Sequence, residues 1–482
     1  MKSSTSQPAG QAWRRCVAAL ALLPACCAAG GLTVLHAFDG NDGASPQAPL
    51  VQGTDGRYYG TTANGGAAHD GTAFSVGADG SFRSLLAFDG SDGSDPYAAL
   101  VARTDGSLVG SAPLGHYPLP SRPSFGGVVY TLTPQGALQT LRRFPARGPD
   151  GQAPGALVDG GDGYWYGTMT YGGAGGGGTV FKIAPDGSLA TLHAFMPDEG
   201  ATPVGDGLTR GSDGNFYGLL RTGPAFAYNG AIFMITPAGA FSVLHTFPLD
   251  GSEGGVPAGR LIETPPGTFY GAAQAAGSGG GGTLFRFDAA HRSVTTLHAY
   301  NRYDGDAPTG VVSGPDGQLY GMTQGGGTAG LGTIFRITPN GQLTVLRLLQ
   351  TGDGTGPRAA PVFGSDGRLY GTTAQGGAGN AGTLFSLDVL DAQPPALTMT
   401  KTCPTEFDRC DGPINVPVGV PYSVQWSSAN LDGCMASGAW SGPRTIGGCI
   451  DVTPLQRGLY TYRLTCRGAA GPVSASVTVS VG

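Results

Sequence analysis

The sequence predicts an all-β fold built from seven copies of a four-stranded unit, and three observations support this. First, RLYGTTAQGGAGNAGTLF (residues 368–385) and RYYGTTANGGAAHDGTAF (57–74) are identical at 12 of 18 positions, although they lie 311 residues apart. Second, a Tyr-Gly step or its variant recurs at intervals of 50, 57, 51, 53, 50 and 50 residues. Third, the 482 residues include 87 glycines and 36 prolines, yet 40% are apolar, which favours a turn-rich folded protein over disorder.

Each repeat contains four short phrases that we interpret as strands. An apolar run ending at an x-Asp-Gly turn comes first, a Tyr-Gly phrase second, a G-T-x-F phrase third and an LxxLHAF phrase last. These phrases are rich in aromatic and β-branched residues and are bounded by Gly, Asp or Pro, as strands are. Helical periodicity is missing, and the repeat is too long for a β-helix rung. Four strands in each repeat of about fifty residues predict the blade of a β-propeller.

The two ends of the repeat region complement each other. The region opens with GLTVLHAF (31–38), a fourth-type strand with no repeat before it, and the last repeat stops after GTLFSLDV (382–389), without its fourth strand. Pairing of these segments would hide two sheet edges. Residues 31–391 are therefore predicted to form a seven-bladed β-propeller closed by its N-terminal strand. In each blade we expect the Tyr to pack between blades and the Gly to allow close backbone approach.

At the phrase YGTTxxGGxxxxGTxF the chain resembles the bacterial GloVer tandem-repeat (choice-of-anchor) family. This resemblance covers residues 31–391 and implies an exported, propeller-like surface or secreted protein. It carries no catalytic residues over to this chain. The second repeat departs most from the pattern, with Val109 for the tyrosine and GVVY for G-T-x-F.

The N-terminal residues 1–30 have the three parts of a secretory signal peptide: basic residues, an apolar run and small residues. The run is too short for a permanent transmembrane anchor. We expect a secreted or cell-surface bacterial protein, with lipid attachment at Cys26 as the alternative to soluble export. A net charge of −6 and a charged fraction of 12% argue against nucleic acid as a partner. The expected partner is a glycan or a surface protein, and the protein is expected to be a monomer.

After a linker at 392–396, residues 397–482 resemble a bacterial immunoglobulin-like β-sandwich. The resemblance implies that Trp426 packs on the core and that Cys434 and Cys466 are bridged. A Cys434–Cys449 bridge is the main rival pairing, and Cys403 and Cys410 are expected to close a small loop. Five cysteines in this segment, and none from 31 to 391, agree with export.

Two sets of repeated polar residues are interpreted as structural. Histidines recur at one position of the LHAF phrase, where other repeats hold Leu or Arg, so we do not expect them to converge on a substrate. They are His36, His193, His245 and His298. The acidic loops at 38–43, 88–93 and 303–308 are interpreted as Asp-initiated turns, with calcium binding as the less favoured alternative. No cofactor is expected.

Ligand binding is expected where the repeat pattern is broken. The loop between the second and third strands spans 11 residues from Gly to Gly in five repeats and 12 in the fourth, but 17 in the second repeat. We expect this loop at one mouth of the propeller channel, although a decorative insertion is the simpler alternative. The principal binding candidates are His116, Tyr117 and Arg122. Weaker candidates are Trp165, Tyr171, Arg221 and Tyr228.

Two functions remain open on the sequence. The first is a non-enzymatic propeller that binds a glycan or protein through loops on a rigid scaffold. The alternative is an extracellular hydrolase or lyase acting on polysaccharide, which needs paired carboxylates or a His/Tyr/Arg set at the channel mouth. The sequence contains no recognisable catalytic motif, so an enzyme is the less favoured of the two.

Overall fold

The computed structural model describes residues 31–114, 125–224, 229–389, 396–402, 415–429, 433–444, 447–468 and 471–482. These residues are strands and connecting segments, with no α-helix among them. None of the described segments forms a helix that is long and apolar enough to cross a membrane. The chain separates into two compact units with the boundary between residues 392 and 393.

Residues 32–387 form seven antiparallel sheets, which we number 1 to 7 along the chain. The first strands are Val51–Gln52, Val101–Ala102, Gln152–Pro154 with Val158–Asp159, Ala201–Pro203 with Thr209–Arg210, Gly255–Glu263, Asp306–Ser313 and Val362–Phe363. The second strands are Tyr58–Thr62, Leu108–Ala112, Trp165–Tyr171, Phe216–Thr222, Thr268–Ala275, Leu319–Gly325 and Leu369–Thr373. The third strands are Thr72–Val76, Phe125–Leu132, Thr179–Ile183, Ala231–Ile235, Thr283–Asp288, Thr333–Ile337 and Thr383–Leu387. The fourth strands are Phe82–Ala87, Leu138–Pro145, Leu189–Ala194, Phe241–Thr246, Ser293–Ala299, Leu343–Leu348 and, for sheet 7, Leu32–Ala37.

The N-terminal strand completes the last sheet, as the sequence predicts. Leu32–Ala37 pairs antiparallel with Thr383–Leu387, with Leu32 opposite Leu387. Sheet 7 therefore takes three strands from the end of the repeat region and one from its beginning.

Seven buried clusters join each sheet to the next, and the seventh joins sheet 7 back to sheet 1. In that last cluster Phe74 of sheet 1 packs with Leu384 of sheet 7. Tyr58 stacks on Tyr370 with ring centroids 3.9 Å apart. Every sheet thus buries both faces against neighbours, and the sheets form a closed cycle.

The Tyr-Gly step serves this packing in the way that the sequence predicts. Tyr59 of sheet 1 is buried among side chains of sheet 2. A methyl group added at Gly60 would lie 2.7 Å from the ring of Phe74, the third-strand residue opposite it. Glycine is needed there because the phenylalanine ring occupies the space of a side chain.

The tyrosines also bind the turns that precede them. In five repeats the tyrosine hydroxyl donates a hydrogen bond to the aspartate of the x-Asp-Gly turn, four residues earlier. The pairs are Tyr59–Asp55 at 2.7 Å, Tyr166–Asp162 at 2.7 Å, Tyr217–Asp213 at 2.8 Å, Tyr320–Asp316 at 2.9 Å and Tyr370–Asp366 at 2.6 Å. In the second repeat, where Val109 replaces the tyrosine, Asp105 lies 3.0 Å from Arg103 instead. The fifth repeat has Tyr270 but no aspartate in its Thr-Pro-Pro-Gly turn.

The second unit contains two sheets that share one core. The three-stranded sheet is formed by Ala396–Thr402, Tyr422–Ala429 and Gly447–Val452. The five-stranded sheet is formed by Asn415–Val416, Gly433–Gly438, Gly442–Arg444, Gly458–Gly468 and Gly471–Val481. Trp426 of the first sheet and Leu464 of the second are both buried in this core.

Cys434 and Cys466 form a disulfide in the second unit. The two residues lie opposite each other on neighbouring strands of one sheet. The bridge of an antibody domain joins the two sheets instead, so the position of this bridge departs from that pattern. Cys403 and Cys410 lie outside the described residues.

Candidate functional site

The repeated histidines form ion pairs within the fold. Each histidine Nε2 contacts a carboxylate from the loop that leads to the next sheet: His36–Asp42 at 2.6 Å, His193–Glu199 at 2.9 Å, His245–Glu253 at 2.6 Å and His298–Asp304 at 2.9 Å. Arg347 replaces the histidine in the sixth repeat and pairs with Asp353 at 2.8 Å. These five pairs each hold a connecting loop against the fourth strand that precedes it.

The acidic loops are organised as turns. The Asp39 carboxylate accepts hydrogen bonds from the backbone N–H groups of Asn41 at 2.8 Å and Asp42 at 3.2 Å. These bonds lower the pKa of Asp39. Within the part of the chain that the structure describes, no three His, Cys, Asp or Glu side chains are grouped so that they could hold a metal ion.

The described residues include three of the seven binding candidates from the sequence, and each has different surroundings. Trp165 is 6% exposed and belongs to the core between sheets 2 and 3, with the Arg103 guanidinium 5.5 Å from its ring centroid. Tyr171, at the other end of the same strand, is 52% exposed. Arg221 lines a cavity at the inner ends of the sheets. His116, Tyr117, Arg122 and Tyr228 lie outside the described residues.

This cavity, which we call the mouth, has a volume of about 270 Å³. Its side chains come from the segments that lead into or connect the first strands and from the ends of the second strands of several sheets. They are Gln47, Tyr97, Asp206, Arg221, Gln274, Gln324 and Arg358, with backbone from Gly205, Ala258 and Gly259.

The mouth adjoins a second volume of about 430 Å³, the axial cavity, with which it shares Asp206 and Gly259. The axial cavity is lined by the first-strand segments of all seven sheets. Its wall is mostly aliphatic, with Leu50, Leu100 and Leu157 among the lining residues and Arg260 near its polar end. The seven sheets therefore surround one space, polar where it meets the mouth.

Tyr97 crosses the mouth from sheet 2 to sheet 4. A methyl group added at Gly205 would lie 3.1 Å from the Tyr97 ring. One added at Gly155, in the intervening sheet 3, would lie 2.7 Å from the carbonyl oxygen of Gly205. The absence of side chains at both glycines lets Tyr97 lie against Gly205, beside Asp206. Burial raises the pKa of Tyr97 to about 12, so its hydroxyl stays protonated at neutral pH.

Asp206 is the carboxylate of the mouth, and its surroundings oppose its ionisation in part. Burial raises its pKa to about 6, while Arg221, Arg260 and the backbone N–H of Gly259 favour the charged form. Burial lowers the pKa of Arg260, and Asp206 opposes that shift. The Arg260 side chain is exposed to solvent, but it also lines the axial cavity. The protein around it there removes part of the hydration of the guanidinium. Among the described residues that line the mouth, Asp206 is the only carboxylate.

Sequence reasoning missed most of the mouth residues, although a pattern marks them. A proline recurs before or within each first strand, and the residues one to three positions after that proline change chemistry from repeat to repeat. Examples are Gln47, Tyr97, Asp206, Arg260 and Arg358. Variation among the repeats at these first-strand positions is therefore a second sequence signal for a binding site, beside the long loop of the second repeat.

Comparison with known proteins finds a family model that matches the repeats. The model of the Gloeobacter/Verrucomicrobia repeat matches residues 25–117, 121–267 and 228–412. No curated protein matches the sequence.

Among solved structures, the extracellular domain of a putative hybrid two-component system from B. thetaiotaomicron matches with a TM-score of 0.52 and 10% identity, over 93% of this chain and 57% of that one. The chain thus spans little more than half of that structure. PorZ, a surface component of the type-IX secretion system of Porphyromonas gingivalis, matches with a TM-score of 0.46 and 11% identity, over 93% of this chain and 60% of that one. A putative 6-phosphogluconolactonase from Bacteroides uniformis matches with a TM-score of 0.45 and 18% identity, over 65% of this chain and 88% of that one.

Proposed function

Since the chain belongs to the Gloeobacter/Verrucomicrobia repeat family, we propose that it is an exported, non-enzymatic binding protein whose seven-bladed β-propeller takes a glycan or surface-protein ligand at the mouth. The observation that carries this proposal is the mouth itself. It gathers arginine, amide, phenol and carboxylate side chains at one end of a closed cycle of sheets. Convergent polar groups in a concave site are typical of ligand-binding sites on rigid scaffolds.

Export is supported by the signal-peptide pattern in residues 1–30 and by the disulfide between Cys434 and Cys466. The B. thetaiotaomicron relative is an extracellular domain, in keeping with this location. We propose that the second unit is an immunoglobulin-like spacer or adhesion module.

The hydrolase alternative needs two carboxylates on either side of the scissile bond. The mouth offers Asp206 alone among its described lining residues. Residues 115–124 and 225–228, which lie outside the described residues, contain no Asp or Glu. This composition favours binding over hydrolysis.

A glycan array probed with the mature protein tests the proposal. We expect a defined set of glycans to bind, and Gln274→Trp, which places an indole in the mouth, to abolish that binding. Gln342→Trp is the matched control because Gln342 lies on an exposed turn between the third and fourth strands. Binding that survives Gln274→Trp would place the ligand elsewhere.

A variant shortened across residues 113–123 tests the loop of the second repeat separately. Loss of binding in this variant would support a role for His116, Tyr117 and Arg122. Unchanged binding would restrict the ligand to the inner wall of the mouth.

A further inference from the structure

We propose that the mouth recognises a carboxylate-bearing sugar, such as a uronic acid unit of an acidic polysaccharide, with Arg358 as the partner of the sugar carboxylate. This inference rests on the proposed function and narrows its ligand. It is drawn from the charge, the placement and the hydrogen-bonding chemistry of the residues around the mouth.

The charge of the mouth is opposite in sign to that of the whole protein. In the mouth, Arg221 and Arg358 stand against Asp206, which gives a formal +1, and the total stays at +1 when Arg260 and Asp159 of the axial cavity are added. The whole chain carries −6. A positive site on an acidic protein attracts an anionic ligand to that place and repels it elsewhere.

The three arginines are not equivalent. Asp206 interacts electrostatically with Arg221 on sheet 4 and Arg260 on sheet 5. Arg358 comes from sheet 7, and its described hydrogen bond is to the neutral Gln324 side chain, from Nη1 to Oε1 at 2.9 Å. A guanidinium has five N–H groups in a planar fork that suits a carboxylate. Arg358 is therefore the arginine whose charge is not offset by Asp206.

The other mouth residues suit a ligand rich in hydroxyl groups. Gln47, Gln274 and Gln324 bring amides that both donate and accept hydrogen bonds, and Tyr97 brings a hydroxyl. A sugar hydroxyl also donates and accepts, so these groups can pair with several positions of one ring. A free phosphate or sulfate ion would use only the donors and would leave Asp206 and the amide oxygens of Gln47 and Gln274 without a role.

The space available fits this ligand. The mouth of about 270 Å³ opens into the axial cavity of about 430 Å³, which places the combined volume in the range of small-molecule sites. One charged sugar in the mouth, with its chain continuing into solvent, satisfies both the size and the polarity of the lining.

Isothermal titration of the mature protein with digalacturonate and with its neutral counterpart digalactose tests the inference. We expect measurable binding of digalacturonate, at least tenfold weaker binding of digalactose, and weakening of digalacturonate binding by about tenfold to a hundredfold in Arg358→Gln. The control is Arg457→Gln, which makes the same charge change on an exposed residue of the second unit. Thermal melts of both variants establish that they fold.

Four outcomes overturn the inference: equal binding of the two disaccharides, binding of neither, equal loss in the two arginine variants, or Arg358→Gln binding digalacturonate as tightly as the parent. Neutral-glycan binding that Gln274→Trp abolishes would remove the carboxylate preference but leave the proposed function standing. Absence of any glycan or protein ligand at the mouth would remove both.

Discussion

The hydrogen bond between Tyr217 and Asp213 can be measured with an internal control that the repeats provide. Tyr217 is 6% exposed, and its hydroxyl donates to Asp213 at 2.8 Å. Tyr270 occupies the same position in the next repeat and is 3% exposed, but the turn before it has no aspartate. Phenylalanine at each position keeps the ring in its core and removes only the hydroxyl.

The expected cost follows from the partner's charge. A hydrogen bond to a charged group contributes about 1.5 to 3 kcal/mol, and the exposure of Asp213 reduces this through solvent screening. We expect Tyr217→Phe to lower the free energy of unfolding by about 1 to 2 kcal/mol, and Tyr270→Phe to change it by less than about 0.5 kcal/mol.

The pH dependence gives a second readout. Burial opposes ionisation of Asp213, but hydrogen bonds from Asn215 and Tyr217 outweigh it, so the pKa of Asp213 is lowered. A carboxyl whose pKa is lower in the folded state stabilises the fold above its unfolded pKa and loses that effect as the pH falls through its folded pKa. The difference between Tyr217→Phe and the parent should therefore be full at pH 7 and shrink below about pH 4.

Urea denaturation of the two variants and the parent, followed by tryptophan fluorescence, is the assay. Equal destabilisation by Tyr217→Phe and Tyr270→Phe would show that the aspartate contributes nothing. A Tyr217→Phe cost that stays constant down to pH 3 would show that the bond does not depend on the charge.

Three further predictions concern packing, covalent linkage and the mouth. Gly371→Ala places a methyl group 2.7 Å from a third-strand phenylalanine ring and should lower the free energy of unfolding by about 1 to 3 kcal/mol in urea denaturation. Gly352→Ala, whose methyl group has no atom within 4 Å, should leave that free energy unchanged. Equal losses in the two variants would contradict the packing argument. Reduction of the Cys434–Cys466 bridge, which spans 32 positions, should destabilise the second unit by about 3 to 4 kcal/mol and leave the cysteine-free repeat unit unchanged. Calorimetry measures both thermal transitions, and a shift of both on reduction would contradict this prediction. The folded pKa of Asp206 is about 6, above its unfolded value of 3.8, so the free energy of unfolding should fall as the pH rises from 3.8 to 6. Asp206→Asn should abolish up to about 3 kcal/mol of that fall. Parallel curves of unfolding free energy against pH for the variant and the parent would refute this prediction.

The sequence by itself determined the repeat architecture. Four strand phrases per repeat, the turns between them and the displaced fourth strand at residues 31–38 are local patterns, and each recurs often enough to be read without coordinates. The Tyr-Gly step was likewise readable, because a glycine directly after a tyrosine in six of the seven repeats has few physical explanations.

Only the tertiary structure decided where the candidate site lies. The sequence marks Trp165 as a weaker binding candidate, but it begins a second strand and lies in the core between sheets 2 and 3. Tyr97, Asp206 and Arg358 are far apart in the chain and chemically unlike, so no local pattern links them. They meet because closing the cycle of sheets brings the starts of the first strands to one end of a single cavity, and that convergence is a property of the ring and of no repeat alone.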